Sequence, residues 1–115
     1  MDQNCVFCKI ARKEIPAVIV YEDNEILAFR DVNPVSPVHI LIIPKVHIRT
    51  LNELNDTNRV LIQNIILTAK NLADNEGIAQ EGYRLVSNCN YNAGQEVFHL
   101  HFHLMGGRKF AWPPG

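Results

Sequence analysis

Phe98-His99-Leu100-His101-Phe102-His103-Leu104 alternates strictly between apolar side chains and imidazoles. Side chains on a β-strand alternate faces, so the stretch predicts a strand. His99, His101 and His103 then share one face, and Phe98, Leu100, Phe102 and Leu104 line the other. A helix would scatter the histidines around its axis. Successive histidines on a strand face lie roughly 6.6–6.8 Å apart. That is too far for hydrogen bonds along the strand, yet close enough to serve one phosphate-sized ligand or two adjacent sites. The plain alternative is a solvent face that happens to carry histidines. Three of the chain's five histidines in alternate positions, followed by Gly106-Gly107, favour a site.

Imidazole titrates near neutrality, so it fits phosphorus chemistry. A neutral nitrogen attacks phosphorus while a neighbouring imidazolium stabilises negative oxygens. The middle residue, His101, is the natural nucleophile because it has a histidine on either side. Attack needs one unprotonated ring nitrogen, with the other held as a donor.

Outward from this strand, the rest of the chain reads as one domain, 1–115. Residues 7–13 predict a short helix, stopped before Pro16. Residues 17–21 are rich in β-branched side chains and predict a strand, with Ile26–Arg30 as its hairpin partner across the polar turn 22–25. Pro34-Val35-Ser36-Pro37 predicts a rigid loop. Residues 39–43 predict a third strand, ended by Pro44. Leu61, Ile65, Ala69 and Leu72 recur at helical spacing, so 57–76 predicts the long helix. Asn55, Asp56 or Thr57 would cap its start and Gly77 would end it. Residues 83–88 and 95–105 predict strands four and five, joined through the turn at 90–94. Short links imply antiparallel hairpins between strands 1 and 2 and between 4 and 5. The expected fold is α+β: a five-stranded antiparallel sheet with one long helix against a face and a short N-terminal helix. The edges of such a sheet invite pairing with a second copy.

A formal charge of −1, from 11 basic and 12 acidic residues, provides no long-range field for nucleic acid or an anionic membrane. Local geometry must hold any phosphate. No run of about 18 apolar residues is present to span a bilayer. Met1-Asp2-Gln3-Asn4-Cys5 is acidic and polar rather than a basic leader, so the expected location is the cytoplasm. Three cysteines, Cys5, Cys8 and Cys89, cannot form a disulfide framework. Cys5-Val6-Phe7-Cys8 has the spacing of a zinc knuckle, and a tetrahedral site needs two more ligands. His47 and His99 are candidates, which would leave His101 free. The plain alternative is two cysteines in a helical first turn, one of them buried. Redox activity is disfavoured because no thioredoxin-like strand-then-helix precedes the pair. Cys89 has no evident partner and is expected to be a small buried residue.

The pattern from His99 to Met105 resembles the signature of the histidine triad (HIT) superfamily. Phe29-Arg30-Asp31-Val32, His39-Ile40-Leu41-Ile42-Ile43-Pro44-Lys45-Val46-His47, Gly94-Gln95-Glu96-Val97-Phe98 and Trp112-Pro113-Pro114-Gly115 extend the resemblance to the histidine triad nucleotide-binding branch. It covers nearly the whole chain. The resemblance implies a homodimer joined edge to edge and a purine nucleotide pocket. It also implies hydrolysis of nucleoside phosphoramidates, such as those of AMP, through a transiently nucleotidylated His101. His103 would bind phosphate oxygens and His39 would help relay protons. Asp31 would accept from the ribose hydroxyls. Phe29 and Val32 would form the base pocket, and Asn88, Gly94 and Val97 would border the phosphate. The resemblance also supports structural zinc on Cys5, Cys8, His47 and His99, and it implies no organic cofactor.

Asp31 and His39 have plain readings as well, as a strand-end turn residue and a buried core histidine. Glu96 departs from the many relatives that carry a small hydroxyl residue there. It could protonate a leaving nitrogen only if burial kept it protonated. Its expected effect is on leaving-group preference. Three further readings compete. One is a dinucleoside polyphosphate hydrolase, which the Trp-Pro-Pro-Gly tail disfavours. Another is a nucleotide-sensing or partner-binding protein with incidental hydrolysis. The most distant is a purely structural metal protein.

Overall fold

The computed structural model describes residues 3–115; Met1 and Asp2, part of the acidic N-terminal stretch read above, lie outside the described residues. Five strands form one antiparallel sheet: β1 (Ile19–Glu22), β2 (Ile26–Arg30), β3 (Val38–Pro44), β4 (Tyr83–Val86) and β5 (Phe102–Gly106). Their order is β1-β2-β3-β5-β4, which puts β2, β3 and β5 inside and β1 and β4 at the edges. Two helices join them, α1 (Val6–Ala11) and α2 (Arg59–Asn75). The predicted class and the predicted order of two helices and five strands are present, with bounds that differ at the fourth and fifth strands and at the start of α2.

Period-two patterning explains the layers. On β3, Ile40 and Ile42 face one side and pack with Ile26, Ala28, Leu100, Phe102 and Leu104 against Leu61, Ile65, Ala69, Leu72 and Ala73 of α2. Leu41 and Ile43 face the other side, with Leu27 and Phe29, and are covered by Phe7 and Ile10 of α1. Register fixes this division: Ile40 pairs with Leu104, and Leu41 with His103. β3 is therefore buried on both faces, which accounts for its nearly unbroken apolar run.

Helix α2 ends as expected. Gly77 takes φ +74°, its N–H bonds to Asp74, and the N–H of Ile78 reaches back to Ala73, the Schellman arrangement. At the start, the candidates resolve differently. Asn55 caps a short 3₁₀ turn, Asp56–Asn58, through a capping box with Asn58, and α2 begins only at Arg59. Arg30 grips Glu76 through two bonds of 2.6 and 3.0 Å, tying the end of β2 to the end of α2.

The fifth strand is the main correction. Residues 95–105 do not form one strand; regular pairing starts at Phe102. Upstream backbone groups find partners outside the ladder. Leu100 N–H donates to Ile48 at 2.6 Å, the carbonyl of His101 accepts from Ser87 Oγ at 2.8 Å, and that of His99 accepts from an imidazole. Gln95 is buried, taking the Asn90 N–H on its Oε1 and donating Nε2 to the carbonyls of Arg49 and Val97. Strand four likewise stops at Val86, so its link to β5 is long rather than a tight hairpin, although the two pair antiparallel. Cys89 is half-buried and unbonded to another cysteine, rather than fully buried.

Ile65 is fully enclosed between α2 and the sheet. Ile65→Ala should lower unfolding free energy by about 2–5 kcal/mol, read as a shift in urea midpoint with little change in slope. A shift below about 1 kcal/mol would show that α2 does not seal this face.

Candidate active site

Although the backbone bends at 97–99, the alternation survives. Leu100, Phe102 and Leu104 face α2, while His99, His101 and His103 face the α1 side. The ring centroids of His101 and His103 are 5.0 Å apart. On the neighbouring strand, β3 presents His39 opposite Met105, diagonally across from His103. A cleft of about 620 Å³ opens over them. All ten residues expected of the nucleotide pocket and catalytic set line it: Phe29, Asp31, Val32, His39, Asn88, Gly94, Glu96, Val97, His101 and His103.

Hydrogen bonds settle the proton positions. His101 Nδ1 lies 2.7 Å from the carbonyl of His99, which only accepts, so Nδ1 carries the proton and Nε2 keeps a lone pair. His39 Nδ1 accepts the N–H of Val35 at 3.1 Å, so its Nε2 is the protonated nitrogen. That Nε2 stands 2.9 Å from His103 Nδ1 and 3.3 Å from Asp31 Oδ2. His103 therefore accepts on Nδ1, and its own proton sits on Nε2. The loop 31–37 supplies this wiring: Asn33 N–H fixes Asp31 Oδ1 at 2.8 Å, and Ser36 Oγ donates to the carbonyl of Val38. Three potential metal donors gather here, Asp31, His39 and His103. The Val35 N–H argues against a metal among them, because it leaves His39 Nε2 a donor rather than a ligand.

Burial keeps these imidazoles neutral. Loss of solvent pushes His103 down to about 4, helped by its neighbours His101 and His39 and opposed by Asp31. Burial also lowers His39 and His101, again against the attraction of Asp31. Neutral His101 is the reactive form.

A second cluster joins Cys5, Cys8, His47 and His99. Bond lengths for tetrahedral zinc place two nitrogens about 3.3 Å apart, and sulfur and nitrogen about 3.6 Å apart. His47 Nδ1 and His99 Nδ1 are 3.3 Å apart; His99 Nδ1 is 3.3 Å from Cys5 Sγ and 3.5 Å from Cys8 Sγ, and Cys8 Sγ is 3.3 Å from His47 Nδ1. His99 Nε2 donates to the carbonyl of Pro44 at 2.8 Å, so its Nδ1 lone pair points into the cluster. Burial drives His99 down to about 4, in keeping with a neutral imidazole ligand. The donor set fits zinc.

Several lining residues were not singled out in the sequence. Val6, Phe7 and Ile10 of α1, with Ile15, Pro16, Ala17 and Leu41, form the apolar end of the cleft. For the α1 residues the signal is the apolar spacing of Val6, Phe7 and Ile10 along the helix; the others are brought to the cleft only by the fold. Phe7 meets the edges of His99, His101 and Phe29, at centroid distances of 5.9, 5.1 and 5.5 Å. Glu96 lines the cleft but remains exposed, so the burial that leaving-group protonation required is missing.

Comparison with known proteins agrees with this architecture. Residues 12–110 match the HIT domain family model. An uncharacterized HIT-like protein of Synechococcus elongatus is 53% identical over 115 residues, covering 100% of both chains. Purine nucleoside phosphoramidase of Escherichia coli K12 is 47% identical over 108 residues, 94% of this chain and 91% of that one. The crystal structure of a HIT family hydrolase from Legionella pneumophila Philadelphia 1 superposes with TM-score 0.96 and 58% identity, covering 97% of this chain and 100% of the other. An α+β fold with three alternating histidines, two of them lining a cleft, matched by the family model over residues 12–110, places this chain in the HIT family.

Proposed function

We propose that the chain is a purine nucleoside phosphoramidase acting through a nucleotidyl-histidine on His101. The observation that carries this is the 2.7 Å bond from His101 Nδ1 to the His99 carbonyl, which leaves an Nε2 lone pair in the cleft. In the first half-reaction, His101 Nε2 forms a bond to phosphorus and the P–N bond breaks. The amine leaves with a proton taken up from solvent at the open rim. In the second, water attacks phosphorus, the bond to His101 breaks, and a nucleoside monophosphate leaves with release of a proton. His103, held by His39, offers its Nε2–H to the phosphate oxygens. Asp31 accepts from the ribose hydroxyls, Phe29 and Val32 with the α1 side chains hold the purine, and Asn88, Gly94 and Val97 border the phosphate. The similarity to the E. coli phosphoramidase supports the bond type.

The whole of 1–115 acts as one domain in this reading, and the active form is a homodimer joined through a sheet edge. No described helix is long and apolar enough to cross a membrane. Three free cysteines and a thiolate metal centre suit a reducing, cytoplasmic setting.

An adenosine phosphoramidate should release its amine with the wild type, and His101→Ala should cut the rate by at least about 10³-fold. Mass spectrometry of quenched wild type should show a nucleotidyl adduct on His101. Turnover that survives the substitution refutes the mechanism.

Zinc held by Cys5, Cys8, His47 and His99 would supply structural cross-linking, fixing α1 to the sheet and withdrawing His99 from substrate chemistry. Freshly purified protein should contain about one zinc per chain, and Cys5→Ser/Cys8→Ser should contain none. Undamaged wild type free of zinc rules the assignment out.

Glu96 puts an exposed carboxylate at the rim, where the leaving group departs. Glu96→Ser should change the ranking of rates across amine leaving groups without abolishing turnover. An unchanged ranking removes Glu96 from leaving-group selection.

A further inference from the structure

Two N–H groups converge on the Asp31 carboxylate. Asn33 donates to Oδ1 at 2.8 Å, and His39 Nε2 lies 3.3 Å from Oδ2. The same His39 Nε2–H also faces His103 Nδ1 at 2.9 Å, so one proton is shared between a carboxylate and an imidazole. Backbone pairing holds the arrangement in place, because Asp31 N–H donates to the carbonyl of His39 at 3.0 Å. The His39 side chain is 4% exposed and that of Asp31 17%. The pair is thus sheltered, while Asp31 keeps an edge toward the cleft. Val35 N–H occupies His39 Nδ1, so His39 has no second nitrogen through which to pass a proton onward. Its geometry is that of a fixed donor.

We propose that Asp31 is a positioning residue for His103, acting through His39, in addition to the ribose contact that the proposed function gives it. Val35 N–H fixes the His39 tautomer; the carboxylate, accepting on both oxygens, holds the His39 ring so that its Nε2–H is aimed at His103. His39 then donates to His103 Nδ1, which obliges His103 to present Nε2–H to the substrate's phosphate. An amide cannot replace the carboxylate. In an Asp31→Asn protein, whichever way the side-chain amide turned, its NH₂ would face a donor, either Asn33 N–H or His39 Nε2–H. Ribose hydroxyls and His39 meet on one group, so sugar recognition and the phosphate donor are linked.

The kinetic arm of this inference rests on the phosphoramidase reading; the tautomer arm does not. The experiment compares wild type with Asp31→Asn on a purine nucleoside phosphoramidate and on its 2′,3′-dideoxy counterpart. It also records side-chain ¹⁵N NMR of the ligand-free proteins. The expected result is a kcat loss on the order of tenfold on both substrates, with KM rising only for the one that bears hydroxyls. His39, whose Nδ1 takes the Val35 N–H, should be protonated on Nε2 in both proteins, whereas His103 should be a single Nε2–H tautomer in the wild type and lose that single tautomer in the variant. A kcat loss confined to the hydroxyl-bearing substrate overturns the proposal and leaves Asp31 a ribose ligand alone. A wild-type His39 protonated on Nδ1 overturns it without recourse to any variant. Wild type that does not turn over the phosphoramidate refutes the phosphoramidase reading instead, and the tautomers then decide this one.

Discussion

His101 Nδ1 is bonded to the carbonyl of the residue two before it, and the chemistry proposed for the cleft depends on that 2.7 Å contact. A buried imidazole must satisfy its N–H, and a backbone carbonyl does so without being able to give a proton back. The rule repeats around the site. Pro44 O takes the Nε2–H of His99, and Val35 N–H takes the Nδ1 lone pair of His39. Each backbone partner claims one nitrogen and thereby assigns the other: His99 Nδ1 to the Cys5–Cys8–His47 cluster, His101 Nε2 to the cleft, His39 Nε2 to Asp31 and His103. No buried side-chain nitrogen or oxygen among the described residues is left without a partner. Three histidines that look equivalent in a row thus point their free nitrogens at different surroundings.

The sheet makes this wiring possible by dividing labour between its faces. Against α2 it buries a continuous apolar layer, where Ile26, Ile40, Ile42, Ile65 and Leu104 are wholly enclosed. Each large aliphatic side chain buried there contributes about 1.5–3 kcal/mol. The opposite face carries the polar groups, whose burial costs free energy unless each is paired. Helix α1 closes that face. Six residues are too few for a helix to persist alone, so α1 depends on its contacts. It supplies Cys8 to one cluster, with Cys5 as its N-cap, and Phe7 to the cleft, and Phe7 touches His99 and His101 alike. The candidate zinc site and the candidate nucleotide site are therefore neighbours through one aromatic ring.

Much of this was legible in the residues. The apolar periods predicted the helices and strands because burial on defined faces dictates them. Period two separated Leu100, Phe102 and Leu104 from the three histidines, and that separation holds even where regular pairing fails. The bend at 97–99 was not legible. It arises from long-range partners, Ile48, Ser87 and the Gln95 side chain, which no local pattern announces. The same is true of the late start of α2, since Asn55 and Asn58 cap each other in a preceding 3₁₀ turn. The family resemblance located Asp31 and His39 in the site, but only the fold shows that one proton lies between His39 and both Asp31 and His103. Val6 and Ile10 become pocket residues only because α1 packs across the sheet beside the cleft, a long-range contact that no local pattern announces.

Everything proposed for the cleft requires that a backbone carbonyl fix His101 as the Nδ1–H tautomer, with a free Nε2 lone pair. Side-chain ¹⁵N NMR of His101 in the ligand-free protein at neutral pH measures this directly. The predicted result is a protonated Nδ1 and an unprotonated Nε2. A proton on Nε2 would contradict it, since the nitrogen facing the cleft could then not attack phosphorus.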